Sequence, residues 1–258
     1  MFDNKVKTML KNGEKTMGAF VSFYSPFVVE LIGHAGFDFV LIDNEHGAFS
    51  FTEIENMIRT AELVGLTTIV RTSYDVSDVQ RALDRGAKGV QVPMINTKED
   101  AEFVVARAKF PPYGQRGVAF SVRPARYGLD AGVEYLDAAD ENVLVSIHIE
   151  TQEAVDNFDE IISVPGIDII FIGTSDLSVS MGYRKEGANH PEVQNTMKEL
   201  FRKGKEKGII VGTFASDEES ITNAYEIGAE YIGVTVPSLI FSTLKNTVKH
   251  WEGLNDKK

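Results

Sequence analysis

The chain has 258 residues, 43% of them hydrophobic and 25% charged, ordinary proportions for a soluble globular protein with a sizeable core. That length suits one large α/β barrel or two small domains. A formal net charge of −12 argues against nucleic acid or an anionic membrane as partner, and the absence of cysteine excludes disulfides, thiolate catalysis, zinc–thiolate and iron–sulfur centres.

The stretch from Met1 to Thr16 carries Lys5, Lys7, Lys11 and Lys15 with no continuous apolar core, so it does not read as a signal peptide. No apolar run approaches the roughly 20 residues of a membrane span. A cytoplasmic enzyme or binding protein is the expectation. Short β-branched runs bounded by turn residues then predict strands at 17–23, 38–43, 67–71, 89–93, 143–150, 167–176, 208–214 and 230–235. Amphipathic spacing predicts helices at 26–34, 51–64, 76–85, 98–109, 151–164, 191–207, 217–226 and 237–250. Gly36, Gly86 and Gly228 read as helix C-caps that feed the next strand. Eight strands alternating with helices fit a single-domain (β/α)₈ barrel. Residues 110–140 break this rhythm, being too long for a plain connection. They hold Arg116, Arg123 and Arg126 amid glycine and proline. This excursion reads as structure or an oligomer contact, with a substrate-facing loop as the alternative.

Candidate chemistry gathers at the strand ends. The fifth and sixth strands, joined by one helical stretch, are expected to be parallel neighbours about 5 Å apart. Glu150 and Asp176 then stand side by side at the carboxyl edge, where parallel α/β folds carry their chemistry. Two such carboxylates can hold a hard divalent cation through oxygen; the plainer reading is two solvated or helix-capping acids. After the second strand comes Asp43-Asn44-Glu45-His46, in which His46 suits proton transfer near neutral pH. Asp43 or Asp84 could orient it; alternatively Glu45 and His46 cap the next helix. Arg71 closes the third strand, a costly place for a cation without a partner. It suits an anionic substrate group or a developing oxyanion, or else a structural ion pair with Glu45 or Asp43.

Ser146, His148 and Glu150 share one face of the fifth strand, the inward one in a barrel. His148 reads as a packed, hydrogen-bonded barrel histidine, with metal ligation the alternative. Gly173, Thr174 and Ser175 are small enough for backbone amides to approach a bound carboxylate. Phe20, Phe171 and Phe214 lie at or near strand ends, where they wall a small pocket or fill the core. Strands two to eight contain no lysine, so a Schiff-base route lacks its nucleophile. No glycine-rich nucleotide motif is present, and the run at 233–238 does not favour a phosphate.

Taken together, Asp-x-Glu-His at 43–46, Arg71, Val-Pro-Met at 92–94, Arg-Gly-Val at 116–118, Ile-Glu-Thr at 149–151 and Phe-Ile-Gly-Thr-Ser-Asp-Leu-Ser at 171–178 resemble the HpcH/HpaI family. These are metal-dependent class II pyruvate aldolases acting on 2-keto-4-hydroxy acids, and the likeness runs in order over residues 18–237. The resemblance implies Mg²⁺ or Mn²⁺, with Co²⁺ a further option, held by Glu150 and Asp176. It implies that pyruvate chelates this metal through its carboxylate and keto oxygen, and that cleavage to pyruvate and an aldehyde passes through a metal-bound pyruvate enolate. Arg71 would stabilise the enolate. His46, with Asp43 and Asp84 behind it, would serve proton transfer with a metal-bound water, and amides at Thr174 and Ser175 would hold the pyruvate carboxylate. From their strand positions rather than from the resemblance, His148, Phe20, Phe171 and Phe214 are further candidates to border the substrate. The last helix would be exchanged between neighbours in a homo-oligomer, a hexamer by resemblance. Three places depart from the family pattern: His148 stands for a common glutamine, Thr174-Ser175 for Pro-Ala, and Arg-Gly-Val-Ala-Phe for Arg-Gly-Val-Gly. They bear on the aldehyde partner and the water network more than on enolate chemistry. Two rival readings are a citrate-lyase-β type enzyme acting on an acyl-CoA thioester, for which no basic CoA patch is evident, and a non-catalytic keto-acid binding protein, against which His46 and Arg71 argue.

Overall fold

The eight β-branched and aromatic runs form β1 (Thr16–Val21), β2 (Phe39–Asp43), β3 (Thr67–Arg71), β4 (Gly89–Val92), β5 (Leu144–Ile149), β6 (Ile169–Ile172), β7 (Ile210–Ala215) and β8 (Tyr231–Thr235). This computed structural model describes residues 3–75 and 77–255; Val76, placed by the sequence at a helix start, and the first two residues of the N-terminal stretch lie outside them. Every strand pairs in parallel with the next, and β8 closes on β1. The fold is the expected (β/α)₈ barrel.

Strand alternation sorts the core into two layers. Phe20, Phe39, Leu41, Ile69, Leu144, Ile169, Phe171 and Tyr231 fill the barrel interior. Val40, Ile42, Val70, Val145, Ile147 and Ile170 point outward and meet helix residues such as Ile54, Met57 and Leu200. Glycines make room for the interior rings. A Cβ at Gly18 would lie 2.0 Å from the Phe39 ring, and one at Gly233 would lie 2.1 Å from the Phe20 ring. Phe39 stacks on Tyr231 with centroids 4.4 Å apart. A short helix that the sequence reading missed, Lys5–Lys11, plugs the amino end of the barrel with Val6 and Leu10. Its Lys7 ammonium donates to the Val143 carbonyl at 2.6 Å and pairs with Asp168 at 2.9 Å.

The C-cap glycines behave as expected, with φ of +92° at Gly36, +108° at Gly86 and +101° at Gly228. Two expectations are corrected. The helical stretch after β5 is two short helices, Gln152–Asp156 and Phe158–Ile161. Between them Asn157 leaves helical geometry and donates its side-chain amide to the Asn96 carbonyl at 2.9 Å, the competition typical of asparagine. Strand six stops at Ile172, so Asp176 sits in the first turn of the helix Thr174–Ser180 rather than at a strand end. Residues 110–140 contain a 3₁₀ stretch, Arg123–Gly128, and a helix, Val133–Asn142. They bury their own cluster of Phe110, Ala125, Tyr135 and Ala139. Arg116 pairs with Asp84, Arg123 with Glu62 and Arg126 with Asp130, in keeping with the structural reading of the excursion. No described helix is long and apolar enough to cross a membrane.

Candidate active site

The carboxyl ends of β2 and β3 come first. Asp43 and Arg71 are paired in register. Asp43 Oδ1 accepts the amides of Glu45 and His46 at 3.2 and 3.3 Å, which tightens the turn after β2. The same carboxylate receives Arg71 Nε at 2.8 Å and Nη2 at 2.6 Å. Arg71 Nη1 lies 2.9 Å from Glu45 Oε2, and all three side chains are at most 7% exposed. One guanidinium is thus clamped between two carboxylates. Burial works against its charge, but the Asp43 hydrogen bonds and the charges of Asp43, Glu45 and Glu150 outweigh it and raise the Arg71 pKa.

Glu150 follows β5 and is buried. Its Oε1 accepts the Met94 amide at 2.7 Å, and its Oε2 receives His148 Nδ1 at 2.7 Å. Met94 takes a left-handed φ of 57° to present that amide. Burial favours the neutral acid, yet the hydrogen bond from His148, the Met94 amide and the nearby Arg71 charge together hold the Glu150 carboxyl below its ordinary range. It is therefore a carboxylate at neutral pH.

A cavity of about 550 Å³ at the carboxyl end brings Asp43, His46, Arg71, Glu150 and Asp176 onto one wall system, with Thr174, Ser175 and Phe214 beside them. Other expected members are elsewhere. His148 is fully buried, and Phe20 and Phe171 lie in the barrel interior, so none of the three borders the cavity. Strand alternation points all three inward but one layer below the mouth, where Phe20 and Phe171 pack with centroids 5.7 Å apart. Asp84 does not stand behind His46. It receives Arg116 at 2.8 Å and lines a separate cavity of about 560 Å³ with Tyr74, Gln80 and Arg107. Nor does Asp43 reach the His46 ring, because Arg71 and two amides take up its oxygens. The ring is 63% exposed at the mouth, and the acid nearest to it is Glu45, at 3.9 Å. The next helix, Phe51–Leu63, is capped by Ser50 and Glu53, so Glu45 and His46 are not its caps. The ion pair of Arg71 with Glu45 or Asp43, raised from sequence as the plainer reading, is present with both acids at once.

The donor set suits a hard divalent cation. Glu150 and Asp176 open on one cavity, and the described residues contain no group of three or more His, Cys, Asp or Glu able to hold a metal by themselves. Two carboxylates with positions left for water or substrate oxygens match the habits of Mg²⁺ and similar ions. A profile of the HpcH/HpaI aldolase/citrate lyase family matches residues 16–241. The chain belongs to that family. The aldolase is 32% identical over 241 residues to the hydroxypyruvate/pyruvate aldolase of Sagittula stellata, covering 93% of this chain and 94% of the relative. It is 31% identical over 244 residues to the 2-keto-3-deoxy-L-rhamnonate aldolase of Escherichia coli, covering 94% and 90%. A crystal structure of a family protein from Burkholderia cenocepacia superposes with a TM-score of 0.91 at 31% identity, covering 96% and 99%. The chain is a carbon–carbon lyase of the class II pyruvate-aldolase type, and such aldolases of this family depend on a divalent metal.

Gly173 sets the room for Glu150 in this aldolase. A Cβ there would lie 2.5 Å from Glu150 Oε2. Gly173→Ala is expected to turn that carboxylate and, with Glu150 as a metal ligand, to weaken Mn²⁺ binding about tenfold or more. Calorimetric titration checks it; an unchanged affinity would show that the carboxylate has space to spare.

Proposed function

We propose that the aldolase cleaves a 2-keto-4-hydroxy acid to pyruvate and an aldehyde, with Mg²⁺ or Mn²⁺, or Co²⁺ as an alternative, held by Glu150 and Asp176. One observation carries the reading: a clamped Arg71 faces the same cavity as two carboxylates, and no lysine lines it among the described residues. When bound, the cation supplies Lewis acidity at the substrate ketone. The protein's own groups do the rest. Arg71 presents a guanidinium already fixed by Asp43 and Glu45, so it meets developing negative charge without reorganising. Backbone amides at Thr174 and Ser175 begin a helix, have no intrahelical acceptor and can receive the pyruvate carboxylate. His46 at the mouth takes the proton of the C4 hydroxyl as the C3–C4 bond breaks. The bonding pair moves into the pyruvate enolate, the C4 oxygen becomes the aldehyde carbonyl, and a proton returned to C3 completes pyruvate.

The acyl-CoA alternative is less well supported, since Arg71 is the only lysine or arginine on the described cavity wall. A binding protein without turnover would have little use for a proton-transfer group at the mouth. Incubation with pyruvate and borohydride is expected to leave no covalent adduct by intact-mass spectrometry. EDTA is expected to abolish cleavage, and Mg²⁺, Mn²⁺ or Co²⁺ to restore it. A pyruvyl-lysine adduct, or full activity after exhaustive dialysis against chelator, would overturn the reading.

We infer also that the aldolase is a homo-oligomer, a hexamer in which the last helix is exchanged. On that helix, Val236–Asn255, the side chains of Phe241, Leu244, Val248 and Trp251 are between 55% and 67% exposed. Their spacing makes one apolar stripe. Beside it runs an apolar groove of Val28, Leu31, Ile32, Phe37 and Leu239. A neighbouring subunit is the natural cover for both.

A further inference from the structure

Polar side chains in a barrel interior must find partners there or destabilise the fold. Gln91 on β4 and Ser146 on β5 stand opposite each other in register, and alternation places His148 on the same inner face. All three are fully buried, and Glu150 is nearly so. They join into one line. Ser146 Oγ donates to Gln91 Oε1 at 3.4 Å, Gln91 Nε2 lies 2.7 Å from His148 Nε2, and His148 Nδ1 lies 2.7 Å from Glu150 Oε2. A carboxylate can only accept, so His148 Nδ1 carries a hydrogen and donates it to Glu150. In the neutral ring Nε2 is then the acceptor, and it faces the Gln91 amide. Stacking on Phe171, with centroids 4.9 Å apart, keeps the ring plane from turning. On the far side the Met94 amide holds the other carboxylate oxygen.

We propose that His148 is a positioning residue: its Nδ1–H, fixed in tautomer by Gln91, holds the Glu150 carboxylate in the orientation that receives the divalent cation. The inference rests on the reading of Glu150 as a metal ligand. A histidine buried in an aromatic layer has no reason to be there for packing alone, since phenylalanine or leucine would fill the space without a polar cost. Its two nitrogens are both used, one toward each end of the line. Groups that hydrogen-bond a metal ligand orient it and tune affinity without touching the metal.

The test is Mn²⁺ titration by calorimetry on the wild type, H148F, H148N, Q91M and D176A, with thermal melting of each. His148→Phe keeps a ring of similar volume against Phe171 but removes the donor, and is expected to weaken Mn²⁺ binding about 10–100-fold. His148→Asn places an amide hydrogen near the former Nδ1 and is expected to recover most of that loss, which a packing role would not allow. Gln91→Met, which frees the tautomer but spares the donor, is expected to fall between. In the wild-type protein, ¹⁵N NMR of the imidazole is expected to show a hydrogen on Nδ1 and none on Nε2, a readout that needs no variant to fold. Wild-type affinity in H148F, or H148N no better than H148F, overturns the positioning role. So does a hydrogen on Nε2. If D176A loses Mn²⁺ while H148F keeps it, only this inference fails. A wild-type chain that binds no Mn²⁺ removes the metal reading and the role of His148 with it.

Discussion

Asp176→Ala and Glu150→Ala are each expected to abolish divalent-cation binding and aldolase turnover together, while leaving a folded barrel. The cavity holds three carboxylates, Asp43, Glu150 and Asp176. The charge of Asp43 is matched by the Arg71 guanidinium bound to both its oxygens, whereas Glu150 and Asp176 have no such cation bonded to them among the described residues, which leaves these two for a metal. With so few protein ligands, losing either one leaves a single anchor, and a hydrated cation then gains little over bulk water. The fold should survive because the stability of such barrels rests on the packed interior and the opposite face. Asp176 is the cleaner of the two changes, as its side chain accepts no hydrogen bond within the described chain that would be orphaned, whereas Glu150 leaves the Met94 amide and His148 without an acceptor. Calorimetric titration with Mn²⁺ and circular dichroism decide the matter. Unchanged affinity in both variants would remove the assignment.

Arg71→Lys is expected to cost about 10²–10³ in kcat, the usual effect of removing one preorganised oxyanion donor. Mn²⁺ affinity should change far less. Lysine keeps a positive charge between Asp43 and Glu45 but cannot give the two parallel bonds that Asp43 now receives, nor hold a third nitrogen against Glu45. Arg71→Ala would confuse the answer. It would leave two buried carboxylates facing each other, and breaking a buried pair in this way destabilises a protein by about 3–5 kcal/mol. Steady-state kinetics beside metal titration separate the roles. A lysine variant within a few-fold of the wild-type rate would show that Arg71 serves only to tie β2 to β3.

Much of this architecture was legible in the linear chain because its signals are local. Runs of β-branched residues, helical spacing and the glycines at 36, 86 and 228 report on a few neighbouring residues at a time, and they place eight strands and their order. Two-residue alternation was enough to put Ser146, His148 and Glu150 on the inner face, and strand succession was enough to set Asp43 beside Arg71. What could not be read was depth and partnership. Alternation says that Phe20, Phe171 and His148 point inward, but not that they lie below the mouth, because depth depends on how each strand is staggered against its neighbours. Asp84 looked free to serve His46 until Arg116, 32 residues later, closed on it at 2.8 Å. Asp43 had several prospective partners, and the strongest charge at the adjacent strand end claimed both its oxygens. His148 could pack, ligate or touch substrate from sequence alone. Only with β4 closed against β5 does Gln91 meet its Nε2, and that bond aims the opposite nitrogen at Glu150. Local preferences are encoded residue by residue, whereas competition among buried charges and hydrogen-bond groups is settled only when distant segments share one interior.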